Sequence, residues 1–222
     1  MGRTVLFDLD GTILDTNELI IESFQHVFRE HMSKEIAREA LIQQMGRPLD
    51  AQLRFFSGRT EAEEVDDLRQ AYRTYNVSRH DELVTAFPHT REVLDRLKRE
   101  GVRLGVVTSK VRMTTERGLR HCGLYEFMEA IVTVEDVVMP KPHPEAVQKA
   151  MQALDAEAGQ TWMVGDSPYD VEAAKLAGVQ AIGVGWSLKG TEVLRAAGAD
   201  FLINDMRELY TCVLDTERNG QS

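Results

Sequence analysis

Short apolar runs alternate with segments of helical length through the second half of the chain, and this alternation restricts the fold more than any other feature. The runs are of strand length, and most of the segments between them repeat apolar residues at helical spacing. Strands that alternate with helices in this way form a parallel sheet with helices on both faces. The sequence therefore predicts an α/β fold with a doubly wound, Rossmann-like parallel sheet of about six strands, at residues 3–7, 102–108, 130–133, 161–164, 179–184 and 201–203.

Residues 17–79 do not follow this alternation and have the pattern of helices alone. Apolar side chains recur there at intervals of three and four residues, for example at Ile20, Phe24, Val27 and Phe28. Because one predicted strand precedes this block and the others follow it, we interpret it as a helical insert with linkers at 14–16 and 80–86. Residues 1–15 and 83–222 are thereby assigned to a core domain, and residues 16–82 to an inserted all-helical cap domain.

Charge and composition limit the kinds of partner that the protein is expected to bind. The chain has 36 acidic and 26 basic residues and a formal net charge of -10, which argues against a nucleic-acid surface and repels anions at long range. No run approaches the roughly 20 apolar residues that a membrane span requires, and the N-terminal residues lack the pattern of a secretory signal. Cys122 and Cys212 have no metal-binding spacing. We expect a reduced, cytoplasmic protein with a frayed tail at 217–222.

Two aspartates, Asp8 and Asp10, end the first predicted strand. Side chains two residues apart on a strand point to the same side, and the carboxyl end of a parallel strand opens onto the crevice where α/β sheets bind ligands. Gly11 then permits the turn that follows, and the hydroxyl of Thr12 is expected to brace the loop. This arrangement suits a carboxylate nucleophile beside a carboxylic acid, with a hard cation that holds their charges together.

Polar side chains of complementary kinds follow later in the chain. Parallel strands place their carboxyl ends at one edge of the sheet, so these groups are expected to meet the two aspartates there. They are Thr108, Ser109 and Lys110 after the second core strand, Lys141 between two prolines, and Asp166 and Asp170 after the strand at 161–164.

Each of these groups has an ordinary explanation when it is considered alone. Thr108 can simply end a strand, and an isolated lysine such as Lys141 is most often solvated. Asp166 can cap a helix that starts near Pro168, a role compatible with metal binding through its other oxygen. The order of the groups along the chain therefore has more weight than any one of them.

The ordered set resembles the four motifs of phosphohydrolases of the haloacid dehalogenase superfamily, which carry a helical cap between the first and second motifs. The resemblance covers nearly the whole chain and rests on the residues Asp8-Leu9-Asp10-Gly11-Thr12, on Thr108, on Lys141 and on Gly165-Asp166-Ser167-Pro168-Tyr169-Asp170. A dehalogenase usually lacks an acid at the position of Asp10, so the resemblance points to phosphoryl transfer.

The resemblance implies a catalytic role for four residues. Asp8 would attack phosphorus and form an aspartyl-phosphate, while Asp10 would protonate the leaving group and then activate the hydrolytic water. Thr108 and Lys141 would hold the phosphoryl oxygens and neutralise their charge.

The resemblance also implies a magnesium cofactor. The ion would be bound by a carboxylate oxygen of Asp8, the main-chain carbonyl of Asp10 and the side chain of Asp166. Asp170 would lie behind these ligands and orient Lys141 or a metal-bound water, and Thr12 would support the loop.

Three segments, at residues 15–24, 80–84 and 185–190, resemble most closely a branch of the superfamily that contains bacterial pyrophosphatases and phosphoglycolate phosphatases. This similarity implies hydrolysis of inorganic pyrophosphate; alternatives are a phosphoglycolate or other small-phosphoester phosphatase, a sugar phosphomutase or a non-catalytic binding module. The expected partner is a small phosphorylated substrate, bound by a monomer or weak homodimer. Candidate substrate-binding residues beyond Thr108 and Lys141 are Asn17, Glu18 and Arg47 in the cap, Ser109 and Lys110 after the second core strand, and Lys189 in the 183–190 turn.

Overall fold

The computed structural model describes residues 2–215 and contains eight strands and ten α-helices in that range. The strands are β1 (Thr4–Phe7), β2 (Leu14–Asp15), β3 (Thr85–Ala86), β4 (Arg103–Val107), β5 (Ala130–Val132), β6 (Thr161–Gly165), β7 (Gln180–Val184) and β8 (Phe201–Ile203). The helices are α1 (Asn17–Met32), α2 (Arg38–Gln44), α3 (Leu49–Ser57), α4 (Ala62–Leu83), α5 (Thr90–Arg99), α6 (Arg112–His121), α7 (Glu145–Ala153), α8 (Pro168–Ala177), α9 (Thr191–Ala196) and α10 (Leu209–Val213).

Six of the strands form one parallel sheet in the order β5-β4-β1-β6-β7-β8. Strand β1 lies in the interior, where Leu6 is aligned with Gly105 of β4 on one side and with Met163 of β6 on the other. The α/β prediction is confirmed, and each strand lies within one or two residues of its predicted position. The strand order reverses beside β1, which places the crevice of such a sheet at the end of that strand.

Alternate residues of β1 face opposite sides of the sheet and explain why helices cover both. Val5 and Phe7 belong to one buried cluster, whereas Leu6 packs into a second cluster with Met163 and Val147. Each such side chain contributes roughly 1.5–3 kcal/mol when it is fully buried. The two apolar layers therefore fix the sheet, and with it the position of the strand ends.

Helices α1 to α4 lie between β1 and β4 and share a separate buried cluster. Phe24 is at its centre, with its ring centroid 4.9 Å from that of Tyr72 and 6.4 Å from that of Phe28. The chain enters and leaves this helical insert through β2 and β3, which pair antiparallel. The helical insert is thus present where the sequence placed it, while the domain boundaries at residues 15–16 and 82–83 stay a prediction.

The predicted linker at 80–86 is wrong over its first four residues, because α4 continues through Leu83. His80 is buried there, and its ring lies 5.7 Å from that of His121 at the end of α6. Packing against α6 extends the helix across residues whose polarity suggested a loop. The tail at 217–222 lies outside the described residues, and within the described ones no helix combines the length and hydropathy of a membrane span.

Candidate active site

The ends of β1, β4 and β6 bring three predicted site residues to one edge of the sheet. The amide of Asp8 donates to the carbonyl of Val164 at 2.8 Å, and the amide of Thr108 donates to that of Val132 at 2.9 Å. These bonds continue the sheet pattern one residue past the strands, so that both side chains are fixed by backbone pairing. Asp8, Thr108 and Asp166 are all buried, and all three line the same cavity.

Gly11 makes the close approach between the first loop and Asp166 possible. It has a φ of +78°, and a Cβ added there would lie 2.5 Å from Oδ2 of Asp166. A side chain at this position would be strained and would displace that carboxylate. Thr12 also supports the loop, but through its main-chain carbonyl, which accepts from the indole of Trp186 at 3.3 Å. Its buried hydroxyl has no hydrogen-bond partner within residues 2–215, so the predicted hydroxyl brace is wrong.

Lys141 lies at the centre of the site, and its side chain is only 3% exposed. Its Nζ donates to Oδ1 of Asp8 and to Oδ1 of Asp170, each at 2.6 Å, and to the carbonyl of Val107 at 3.1 Å. Burial alone would lower the pKa of this ammonium group, but the charges of Asp170 and Asp8 outweigh burial and raise it. The lysine therefore remains a cation, and it holds Asp8 in one orientation.

Asp170 is committed to two positioning contacts. One oxygen accepts from Lys141, and the other accepts from the amide and the hydroxyl of Ser167 at 3.0 and 2.7 Å. Ser167 is the residue that caps α8, so the interpretation of Asp166 as the helix cap is wrong. The carboxylate of Asp166 is consequently left without a hydrogen bond to the part of the chain that the structure describes.

Asp8, Asp166 and Asp170 form a group that could hold a metal ion. One oxygen of each lies within 4.8 Å of the others, and all three side chains are buried. Burial raises the pKa of Asp8 to about 7, and burial and the neighbouring carboxylates raise that of Asp166 well above its usual range. A hard divalent cation fits this donor set, because it would compensate the buried negative charge and favour the ionised carboxylates. Since Asp170 is already bonded at both oxygens, Asp8 and Asp166 are the more available ligands.

Lys110 forms an ion pair with Asp10. Its Nζ lies 2.8 and 3.0 Å from the two carboxylate oxygens of Asp10, and its amide donates to the hydroxyl of Thr108 at 3.2 Å. The sequence placed both residues near the reaction but did not reveal that they contact each other. Both line the cavity beside Asp8.

A cavity of about 500 Å³ lies between this edge of the sheet and the helical insert. The insert side contributes Arg47, Gln52, Arg69 and Arg73, among others. The sheet side contributes Asp8, Asp10, Thr108, Ser109, Lys110 and Asp166, among others. Arg47 is thus placed in the cavity as predicted from the sequence. Arg69 and Arg73 were not singled out from the sequence.

Two contacts join the loop at Gly46 to the loops of the sheet. The hydroxyl of Ser109 donates to the carbonyl of Gly46 at 2.9 Å, and Nζ of Lys189 donates to that of Met45 at 2.7 Å. Lys189 lies outside the residues that line the cavity. Ser109 and Lys189 therefore hold the wall that presents Arg47.

Asn17 and Glu18, both predicted to bind substrate, do not line the cavity. Glu18 forms an ion pair with Arg38, and its side chain is 53% exposed. Asn17 is buried at the start of α1, where its main-chain N–H donates to the carboxylate of Asp15 at 3.3 Å. Glu18 is thus engaged by a neighbouring helix, and the structure does not bring either residue to the other site residues.

Comparisons with known proteins identify the family of this chain. The family model of haloacid dehalogenase-like hydrolases matches residues 5–184. A pyrophosphatase PpaX of Oceanobacillus iheyensis is 39% identical over 214 residues, which cover 96% of this chain and 98% of that protein. A pyrophosphatase PpaX of Bacillus velezensis is 42% identical over 205 residues, which cover 92% of this chain and 93% of that protein.

Solved structures share the fold. A haloacid dehalogenase-like hydrolase from Bacteroides fragilis superposes with a TM-score of 0.88 at 27% identity, covering 94% of this chain and 100% of that one. A predicted phosphoglycolate phosphatase from Haemophilus somnus has a TM-score of 0.86 at 19% identity, covering 95% and 97%, and this likeness concerns the fold alone. With the match to the family model and the identity to full-length relatives, the chain belongs to the haloacid dehalogenase-like hydrolase family.

Proposed function

We propose that this protein is a magnesium-dependent hydrolase of inorganic pyrophosphate that acts through an aspartyl-phosphate on Asp8. The observation with the most weight is that the buried Lys141 bonds to both Asp8 and Asp170, and that Asp8 lines a cavity whose other wall is basic. The identity to pyrophosphatases PpaX over nearly the whole chain supports the choice of substrate. The helical insert, proposed as a cap domain at residues 16–82, would supply the wall that contacts the leaving group.

The proposed reaction has two steps. A carboxylate oxygen of Asp8 attacks one phosphorus atom, the bond from that phosphorus to the bridging oxygen breaks, and Asp10 gives a proton to the departing phosphate. Water then attacks the phosphorus of the aspartyl-phosphate, Asp10 accepts its proton, and the carboxylate of Asp8 is restored with release of the second phosphate. Lys141 orients Asp8, while the hydroxyl of Thr108 binds a phosphoryl oxygen.

Asp8 and Asp166 would hold the magnesium ion through side-chain oxygens, together with the main-chain carbonyl of Asp10. The ion supplies positive charge that offsets repulsion between the carboxylate and the phosphoryl oxygens. Asp170 does not need to bind it directly, because its contacts with Lys141 and Ser167 fix the neighbouring groups.

The metal site makes a prediction about pH. Magnesium should raise the melting temperature of the protein, and the increase should be larger at pH 8 than at pH 6. The reason is competition: the raised pKa values of Asp8, about 7, and of Asp166 keep protons on these carboxyls at lower pH, and a metal must displace them. Thermal unfolding with and without magnesium at both pH values measures the effect.

Asp166→Asn is the variant for this measurement, and Asp200→Asn is the control because Asp200 pairs with Lys175 away from the site. The magnesium-dependent increase should be lost in the first variant and retained in the second. An increase of equal size at pH 6 and pH 8, or one that survives in Asp166→Asn, would contradict the proposed ligands.

Release of phosphate from a panel of substrates tests the proposed function. The panel should contain pyrophosphate, phosphoglycolate, hexose phosphates, nucleotides and 4-nitrophenyl phosphate, each with magnesium. We expect pyrophosphate to give the highest kcat/KM. A higher kcat/KM for phosphoglycolate or another monoester would reassign the substrate, and isomerisation of a sugar phosphate without net phosphate release would indicate a mutase.

A further inference from the structure

One face of α4 forms part of the cavity wall opposite the catalytic aspartates. Four of its residues line the cavity: Arg69, Tyr72, Arg73 and Asn76. Their spacing of three and four positions puts them on a single face of the helix. Tyr72 and Asn76 are buried, and the amide of Asn76 donates to the hydroxyl of Ser23 on α1 at 3.1 Å, so this face is anchored within the helical insert.

Two of the cations that line the cavity are already neutralised by acids. Lys110 is bonded to both oxygens of Asp10. Arg69 donates from two nitrogens to Asp50 at 2.6 and 2.9 Å and also pairs with Asp66. The charge of each of these two cations is therefore already compensated within the protein.

Arg73 differs from both. Its side chain has no hydrogen bond or ion pair to any residue within the range 2–215, although it lines the cavity. The residues three and four positions away on α4 are Arg69, Gln70, Asn76 and Val77, none of which is acidic. An arginine four residues from another arginine slightly destabilises a helix. Arg73 is therefore a cation of the cavity wall without a compensating partner in the described residues.

Arg47 is the other cavity cation without an acidic partner in the described part of the chain. One of its guanidinium nitrogens donates to the neutral side chain of Gln44 at 2.6 Å, and its carbonyl accepts from Gln52 at 2.8 Å. The backbone of Arg47 is therefore held in place, and its guanidinium retains free donors. Arg47 on the Gly46 loop and Arg73 on α4 leave two positive charges available on the same wall of the cavity.

We propose that Arg73 binds the phosphoryl group of pyrophosphate that departs in the first step, and thereby selects substrates whose leaving group already carries negative charge before the bond breaks. This inference rests on the proposed function. On the sheet side of the cavity Lys110 is paired with Asp10, and the buried Lys141 is paired with Asp8 and Asp170. A leaving group with charge of its own therefore needs cations on the opposite wall. An ester with an uncharged leaving group has no use for Arg73.

Arg73→Gln tests the proposal through a ratio of two activities. The ratio of kcat/KM for pyrophosphate to that for 4-nitrophenyl phosphate should fall roughly 10- to 100-fold, as expected for loss of a charge-assisted hydrogen bond. Arg73→Lys should keep most of the ratio, because it keeps the charge. Arg79→Gln is the matched control: Arg79 lies on the same helix, pairs with Glu82 and does not line the cavity, so both activities should equal those of the wild type.

Each outcome has one meaning. A wild-type protein that does not hydrolyse pyrophosphate overturns the proposed function, whatever the variants do. A wild-type protein that hydrolyses it, with an unchanged ratio in Arg73→Gln, overturns only the role of Arg73. Equal losses on both substrates also overturn that role. Melting temperatures identify a folding defect, which we do not expect, because Arg73 is exposed and its removal ends the repulsion from Arg69.

Discussion

Replacing Asp8 by asparagine is expected to lower turnover on the order of 10⁴-fold or more, the scale of losing a catalytic nucleophile. The amide of asparagine has nearly the shape of the carboxyl group but cannot form the aspartyl-phosphate. The fold should survive, because Lys141 keeps its bond to Asp170 and the buried site loses one ionisable group. Initial rates of phosphate release from pyrophosphate and from 4-nitrophenyl phosphate measure the loss.

The covalent intermediate provides a second, independent measurement. Wild-type protein quenched with acid during turnover should contain a fraction that is heavier by one phosphoryl group, and fragmentation should place this group on Asp8. Asp8→Asn should lack that species and should melt within a few degrees of the wild type. Turnover by Asp8→Asn near the wild-type rate would remove Asp8 from its assigned role.

Replacing Lys141 by methionine should be the most destabilising change at the site. It leaves the carboxylates of Asp8 and Asp170 buried without their common cation, and breaking a buried ion pair from one side costs about 3–5 kcal/mol. The cost should be greatest at alkaline pH and smaller at pH 5, since burial raises the pKa of Asp8 to about 7 and its carboxyl takes up a proton at the lower pH. Denaturant unfolding at both pH values measures the free energy of unfolding, and activity should be lost at either.

The double variant Lys141→Met/Asp170→Asn separates stability from catalysis. Removing one of the two uncompensated charges should restore part of the free energy of unfolding, because contacting residues are not additive. Activity should not return, since Asp8 still lacks its orienting cation. If Lys141→Met unfolds at the wild-type denaturant concentration, or if the double variant regains turnover, the ion-pair description of the site is wrong.

The core of the fold followed from the sequence because its elements have strong local signals. The six core strands are short apolar runs, and their parallel arrangement comes from the helices between them. The end of α4 did not follow, because His80 owes its place in the helix to packing against α6, about forty residues further along. Contacts of that kind have no signature in the local residue pattern.

The site residues also divide into those that the sequence pattern predicts and those whose position depends on contacts between distant elements. Asp8, Thr108 and Asp166 were predictable because a parallel sheet brings the ends of its strands together. Glu18 was not, since its ion pair with Arg38 depends on the approach of α1 and α2. Arg73 was overlooked for a related reason: the cavity-facing side of α4 is defined only once α4 lies opposite the sheet edge.

The short antiparallel pair β2–β3 has a consequence for how the sequence of such a protein can change during evolution. Asp15 and Thr85 are direct neighbours in that pair, so the segment that builds the second wall of the cavity begins and ends at almost the same point. The chain between them can lengthen at small entropic cost, about 0.6 kcal/mol for each doubling of a flexible loop. It can also be exchanged for another segment without moving β1 or α5. Under the proposed function, substrate preference and the machinery of bond cleavage are thereby encoded in parts of the gene that can diversify separately.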